Sequence, residues 1–359
     1  MKKIYPAKLK LGDEIRVISP SSSMAKIGGM DANLVAKKRL EKLGFKVTFG
    51  KHIDENDQLS SASIQSRVSD FHHAFQDKNV KAVMTTIGGF NSNELLPYID
   101  WRIVSQNPKL FFGYSDITSL HSAIFTKTGL VTYYSPAYSS FKMDELQDYQ
   151  TEQWLRAVSD KDNAHEYKLL SNDVYTSDPW YDPTIPRNFL KNEWKIYNDG
   201  RAHGTIIGGN IQTYTLQLGT EFFQKVQHPI AFLEEAEEGD YTDFDRLLAQ
   251  FLQVHQDLEG LVIGRFPNEC DMSQEKLLYI LDKYPRLKKI PVIYDVDFGH
   301  TQPIFTFPLG GQIEFSTEPL FLKVVEKQFL IVDTLLLCKI AVFLKRNKSR
   351  SLKGGEVVD

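Results

Sequence analysis

Short apolar runs separated by polar, periodic stretches fill the first 165 residues, and their spacing switches regularly between strand and helix. Glu14 to Ile18 reads as a strand, Lys46 to Phe49 as a second and Val80 to Ile87 as a third. Leu110 to Phe112 reads as a buried fourth strand and Leu130 to Tyr134 as a fifth. Between the first two, Asp31 is placed to cap a helix whose Ala36, Leu40 and Leu43 share one face, with Gly44 suited to its end. Ile64, Val68, Phe71 and Phe75 fall at i, i+4, i+7 and i+11, the buried stripe of another helix. Ile117 to Lys127 predicts a further helix with Ile117, Leu120 and Ile124 inward. Strand and helix in alternation predict a parallel sheet with helices on its faces.

From Asn172 to Asp199 the pattern gives way to Asp, Pro, Asn and aromatic residues, including Asp178-Pro179-Trp180-Tyr181-Asp182-Pro183, which reads as a long loop or linker. Beyond it Gly204 to Ile207, Ile230 to Leu233, Leu261 to Ile263 and Pro291 to Val296 predict strands of a second, smaller α/β domain. The expected division is residues 1–170 as the first domain, 171–199 as linker, 200–327 as the second domain and 328–359 as a tail. In that tail the apolar run Phe329 to Leu344 is broken by Asp333 and Lys339 and followed by Lys345, Arg346, Lys348 and Arg350. A bilayer span takes about 20 apolar residues, so no membrane span is expected here. The run reads as a docked C-terminal helix, with a peripheral membrane contact as the alternative.

Composition narrows the function without choosing it. The 359 residues carry 42 Lys and Arg against 46 Asp and Glu, a net charge of −4, and 42% are hydrophobic. That is ordinary globular composition, with room for two domains at roughly 100–200 residues each. Two cysteines, Cys270 and Cys338, make neither a disulfide framework nor a four-ligand zinc site. Balanced charge and the lack of a basic, aromatic stripe argue against nucleic acid as a partner. The N-terminus carries Lys8, Lys10 and Asp13 where a secretory signal needs an unbroken apolar run, so a cytoplasmic protein is expected.

Open parallel sheets bind ligands at the carboxyl ends of their strands, which gives weight to residues just after strands. In Phe111-Phe112-Gly113-Tyr114-Ser115-Asp116-Ile117 an apolar strand turns at once into a helix, lifting Ser115 out of the sheet. The helix start behind it offers N–H groups and partial positive charge for an oxyanion; the plainer reading is that Ser115 or Asp116 only caps the helix. Ile230-Ala231-Phe232-Leu233-Glu234-Glu235 ends a buried strand in two carboxylates that alternation points to opposite faces, so only one enters a cleft. With Glu237, Glu238 and Asp240 beside them, a solvated acidic loop is the plainer reading. A third strand ends in Phe298-Gly299-His300-Thr301, and any one of nine histidines is more often structural than catalytic. Together Ser115, His300 and Glu234 supply a nucleophile, a base and a carboxylate to orient that base. Gly88-Gly89, after the third strand, would let backbone N–H groups approach an oxyanion, cradle a phosphate or simply turn. No P-loop lysine, no G-x-G-x-x-G turn and no clustered Cys/His ligands argue for nucleotide hydrolysis, a cofactor or a metal.

These segments together resemble the LD-carboxypeptidase family of serine peptidases, and within it the microcin C self-immunity peptidases. The resemblance runs from about Pro6 to Val325. It rests on Thr86-Ile87-Gly88-Gly89 with Asn91-Ser92-Asn93 and Leu95-Leu96-Pro97, on Gly113-Tyr114-Ser115-Asp116, on Gly208-Gly209-Asn210, on Phe232-Leu233-Glu234-Glu235 and on Phe298-Gly299-His300-Thr301-Gln302-Pro303. It implies a doubly wound, mostly parallel N-terminal domain carrying the serine, a C-terminal α/β domain carrying glutamate and histidine, and a site in the cleft between them. It implies Ser115 as nucleophile, His300 as general base and then acid, Glu234 as the residue orienting His300, and an oxyanion hole from the N–H groups of Gly88, Gly89 and Asp116. Glu235 stands where many relatives have aspartate. Metal-free, cofactor-free hydrolysis of a small-molecule substrate and a homodimer are also implied. One branch of the family removes the terminal D-residue of murein tetrapeptides; the other cleaves the amide joining an amino acid to a nucleotide. Asn91 and Asn210, with Trp180 as a loop tryptophan stacking on a nucleobase, look like the second branch. Trp180 also reads as an ordinary loop anchor between Pro179 and Tyr181. A different class, a silent ligand-binding protein that kept the two-domain cleft, is disfavoured by the presence of all three triad residue types.

Overall fold

The computed structural model describes residues 2–159, 166–182 and 184–326. Five strands follow the predicted runs: β1 (Glu14–Ile18), β2 (Lys46–Phe49), β3 (Val80–Thr85), β4 (Leu110–Gly113) and β5 (Thr132–Tyr134). They pair in the order β2-β1-β3-β4-β5, all parallel. In this doubly wound sheet the winding direction reverses between β1 and β3, which opens a crevice at the carboxyl ends of the strands. The helix Ile64–Gln76 buries Phe71 and Phe75 completely and rests Ile64 and Val68 on the edge of the same core; Ser63 caps it by accepting from Ser66 N. Asp31 is not a cap. It lies inside a one-turn helix, Gly29–Ala32, and the longer helix Leu34–Lys42 begins only after Asn33. Gly28 and Gly29, both at positive φ, break the segment, and the Asn33 amide turns back to donate to the carbonyls of Ile27 and Gly29.

The remaining strands are β6 (Glu166–Leu169), β7 (Val174–Tyr175), β8 (Leu190–Lys191), β9 (Lys195–Asn198), β10 (Arg201–Asn210), β11 (Pro229–Glu234), β12 (Gly260–Gly264), β13 (Val292–Val296), β14 (Phe307–Leu309), β15 (Gln312–Thr317) and β16 (Leu320–Val325). Eight of them form a second sheet in the order β6-β16-β15-β10-β11-β12-β13-β9, whose centre, β10 to β13, is parallel. The segment read as linker therefore has structure of its own: β7 and β8 form a ribbon, and β9 is an edge strand of the second sheet. Glu166–Leu169, read as the end of the first domain, pairs with β16 because Tyr167 and Leu169 bury against the same cluster as Leu322 and Val324. β14 crosses the other way and adds antiparallel to β5.

That crossing explains how the two sheets hold one another. Tyr134 at the end of β5 stacks on Phe307 of β14 at 4.7 Å, and Phe307 meets Phe232 of β11 at 4.6 Å. Phe298 and Phe305, flanking His300, close the cluster. All five rings are fully buried. Truncation of such a ring costs about 3–5 kcal/mol, so the turn carrying His300 is set by a shared aromatic core. Among the described residues no helix is long and apolar enough to cross a membrane. The predicted tail segment, with its docked-helix and membrane-contact readings, lies outside the described residues.

Candidate active site

Ser115 stands one residue past β4, after Tyr114, and opens the short turn Ser115–Ile117 that leads into the helix Thr118–Thr128. Its φ is 61°, a left-handed conformation that costs a non-glycine residue about 1–3 kcal/mol. Such strain is held by its surroundings. A Cβ on Gly88 would lie 2.8 Å from Ser115 Cβ and 3.0 Å from Oγ, so only glycine lets the β3 turn come this close. The Asp116 carboxylate accepts from Ser21 Oγ at 2.6 Å and Ser92 N at 2.9 Å, and Ser92 Oγ donates to the Asp116 carbonyl at 2.7 Å. Asp116 thus ties the turns after β1, β3 and β4 together, leaving its N–H beside the Gly88 turn.

Glu234 is the last residue of β11 and fully buried. Its Oε2 lies 2.8 Å from His300 Nδ1, and His300 Nε2 lies 3.0 Å from Ser115 Oγ. An ionised carboxylate only accepts, so Nδ1 carries a hydrogen and Nε2 of the neutral ring is left to accept from the serine hydroxyl. The three side chains chosen from strand ends therefore meet in a single relay. Burial alone would depress the His300 imidazole, but the Glu234 carboxylate, with Glu237 and Glu238 behind it, more than reverses this and raises its pKa from 6.5 to about 9. Glu235 points away, as alternation requires: Oε1 accepts from Gln212 Nε2 at 2.9 Å and from Ala236 N. Burial, with the charge of Glu234 adding to it, lifts its carboxyl to about 8.

Because its pKa is raised in the folded protein, His300 contributes stability that is fully present below about 6.5 and lost as pH rises through about 9. In a base role for His300 the same shift would govern the rate, since imidazolium cannot take a proton. The acid limb of kcat/KM should have its midpoint well above 6.5, and Glu234→Gln should move it down while lowering the rate. A limb at or below 6.5 in the wild type, unmoved by Glu234→Gln, would contradict this electrostatic account.

A cavity of about 550 Å³ opens over Ser115 and His300, lined by residues following strands of both sheets. Gly88, Gly89, Asp116, Trp180 and Asn210 line it. Asn91, expected among the substrate contacts, does not: its Oδ1 accepts from Ser61 Oγ at 3.0 Å and Arg67 Nη1 at 3.1 Å, bracing the loop from behind. Asn210 faces the cavity with its Oδ1 committed to capping Thr213 N. Trp180 is half-buried, with Lys142 Nζ 5.9 Å from its ring centre. The acidic loop read as solvated supplies Glu237 and Glu238 to the cavity wall. Lys26 and the exposed Phe90, unnoticed in the sequence, face each other there at 5.7 Å; the strand-end rule applied to β1 and β3 points to both. Among the described residues no three His, Cys, Asp or Glu side chains are grouped to hold a metal ion.

The LD-carboxypeptidase N-terminal domain matches residues 15–135 and the LD-carboxypeptidase C-terminal domain residues 203–315. YocD of Bacillus subtilis (strain 168), named as a carboxypeptidase, is 40% identical over 311 residues, 86% of this chain and 94% of its own length. The microcin C7 self-immunity protein MccF of Escherichia coli is 30% identical over 333 residues, 90% of this chain and 96% of its own. Among solved structures, an MccF-like protein from Bacillus anthracis str. Ames superposes with a TM-score of 0.86 at 42% identity, over 90% of this chain and 99% of that one. MccF in complex with glutamyl sulfamoyl guanosine superposes at 0.81 and 28% identity, over 90% and 98%. Two domains matched in order, and relatives aligned over nearly their whole lengths, place the protein: it belongs to the LD-carboxypeptidase family of serine peptidases and is a hydrolase of the carboxypeptidase type.

Proposed function

We propose that this enzyme cleaves the amide bond of aminoacyl-nucleotides of the microcin C type through a Ser115-His300-Glu234 triad. The observation that carries the reading is the continuous relay from Glu234 through His300 to Ser115 at the floor of the cavity. In this mechanism His300 Nε2 takes the hydroxyl proton as Ser115 Oγ attacks the carbonyl carbon, and Glu234 holds the imidazolium that forms. Charge developing on the carbonyl oxygen falls to the N–H groups of Gly88, Gly89 and Asp116. His300 then returns the proton to the leaving nitrogen, which departs with the nucleotide. Water, deprotonated by the same imidazole, releases the amino acid and restores the serine.

Two observations support the nucleotide branch over murein peptides. Trp180 presents an aromatic side chain to the cavity, and solved MccF complexes hold glutamyl sulfamoyl guanosine and aspartyl sulfamoyl adenosine. In this reading Trp180 and Asn210 contact substrate, the serine belongs to the N-terminal domain, histidine and glutamate to the C-terminal one, and the enzyme works as a cytoplasmic homodimer without metal or cofactor. The test is mass spectrometry of products after incubation with an aminoacyl-sulfamoyl adenosine and, in parallel, a murein tetrapeptide. Release of sulfamoyl adenosine is expected. Loss of the terminal residue from the tetrapeptide alone would overturn the assignment in favour of the LD-carboxypeptidase activity.

A further inference from the structure

Three residues before His300, the Asp297 carboxylate is completely buried yet takes no part in the relay. Its Oδ1 accepts from Asn192 Nδ2 at 2.6 Å and from Arg265 Nη1 at 3.4 Å; its Oδ2 accepts from Trp194 Nε1 at 2.8 Å and Asn172 N at 3.3 Å. Three of those four donors belong to residues 172–194, the segment that carries Trp180. Arg265 is buried as well. It donates to Asn192 Oδ1 and the Asp295 carbonyl, and its guanidinium lies 3.9 Å from the centre of the Tyr175 ring. Two residues beyond His300 the attachment repeats: Gln302 and Thr176 exchange backbone hydrogen bonds, both of 2.9 Å. The stretch bearing Trp180 is thus fastened on either side of the histidine, and the buried carboxylate that anchors it sits on the histidine's own turn.

A buried carboxylate accepting four hydrogen bonds is satisfied only while all its donors stay docked, and a carboxamide in its place would turn an NH2 group toward some of them. We propose that Asp297 is a positioning residue that couples the two halves of the active site. It docks the Trp180 segment and seats the His300 turn in the same act, so that neither is in place without the other. The proposal rests on the roles assigned above to Trp180 and His300. It extends them by making substrate capture and base alignment a single structural event.

Asp297→Asn tests it, with Trp194→Phe as a milder variant that removes one donor should the first fail to fold. Steady-state constants for an aminoacyl-sulfamoyl adenosine and the rate of limited proteolysis within residues 178–190 are measured on the full-length protein, including a Trp180→Ala background. Asp297→Asn should raise KM and lower kcat together, with kcat/KM falling up to about 100-fold, the scale of a misplacement of about 1 Å. Proteolysis of the segment should accelerate. In the Trp180→Ala background the effect on KM should disappear while that on kcat persists, a split that general destabilisation does not produce. Folded Asp297→Asn with unchanged proteolysis, or with KM losses that add to those of Trp180→Ala, would overturn the coupling. If wild-type protein releases no sulfamoyl adenosine, the substrate assignment falls, while proteolysis still reports whether Asp297 docks the segment.

Discussion

Ser115→Ala should lower turnover by roughly 10⁴- to 10⁶-fold, the range seen when a triad loses its nucleophile. Its melting temperature should stay within a few degrees of wild type, because removing a partly exposed hydroxyl changes stability by only ~0.5 kcal/mol. The strain at φ 61° remains with alanine, and the Gly88 turn still fits around it. His300→Ala and Glu234→Gln should impair the same step. Neither should add to Ser115→Ala, since the three act as a unit. Steady-state rates of the single and double variants, with thermal melts on the same samples, check this. Appreciable turnover by Ser115→Ala protein would remove the serine from its role. Full activity of Glu234→Gln, with loss in Glu235→Gln, would move the orienting role to the neighbour whose carboxyl meets Gln212 instead.

Trp180→Ala is expected to separate substrates rather than abolish activity. An aromatic face stacked on a base is worth roughly 1–3 kcal/mol in single-stranded nucleic-acid systems. Transferred to one nucleobase, that corresponds to a loss of roughly 5- to 150-fold in kcat/KM. Trp180 lines the cavity from a segment that also holds Ser177, Asp178 and Pro179 against it, with Tyr181 edge-on to the indole at 6.0 Å. A murein peptide has no base to stack, so its hydrolysis should be spared. The rates on both substrates are to be compared in one preparation. Equal losses, together with faster proteolysis of the segment, would identify Trp180 as a loop anchor and remove the main structural reason for preferring nucleotide conjugates.

The relay was legible in the sequence because each of its members obeys a local rule. Ser115 stands at a strand-to-helix turn, Glu234 ends a buried apolar run, and His300 lies just beyond a third. Alternation puts Glu234 and Glu235 on opposite faces without choosing between them, and the family resemblance points to Glu234. What escaped depends on partners far away along the chain. Asn91 reads as a substrate contact through the family resemblance, but Arg67 and Ser61 claim its carboxamide oxygen. Glu166–Leu169 reads as the end of one domain until β16 arrives to pair with it. The polar stretch from Asn172 reads as a linker because its order comes from Asp297 and Arg265 rather than from any periodicity of its own. The hairpin β15–β16 carries a period-2 pattern, Ile313 and Phe315 on one strand and Leu322 and Val324 on the other alternating as half-buried strands do. Glu237 and Glu238 are exposed, as the solvated reading has them, and the sequence does not show that β11 also delivers them to the cavity wall.

In the proposed mechanism Ser115 takes the aminoacyl group from a nucleotide conjugate. Intact-mass spectrometry of enzyme mixed with an aminoacyl-sulfamoyl adenosine and acid-quenched within the first turnover tests it most directly. The protein should become heavier by one aminoacyl group, with the adduct mapping to the peptide that contains Ser115, and Ser115→Ala should give neither adduct nor released sulfamoyl adenosine. An adduct on another residue, or release of sulfamoyl adenosine by Ser115→Ala protein at the wild-type rate, would contradict it.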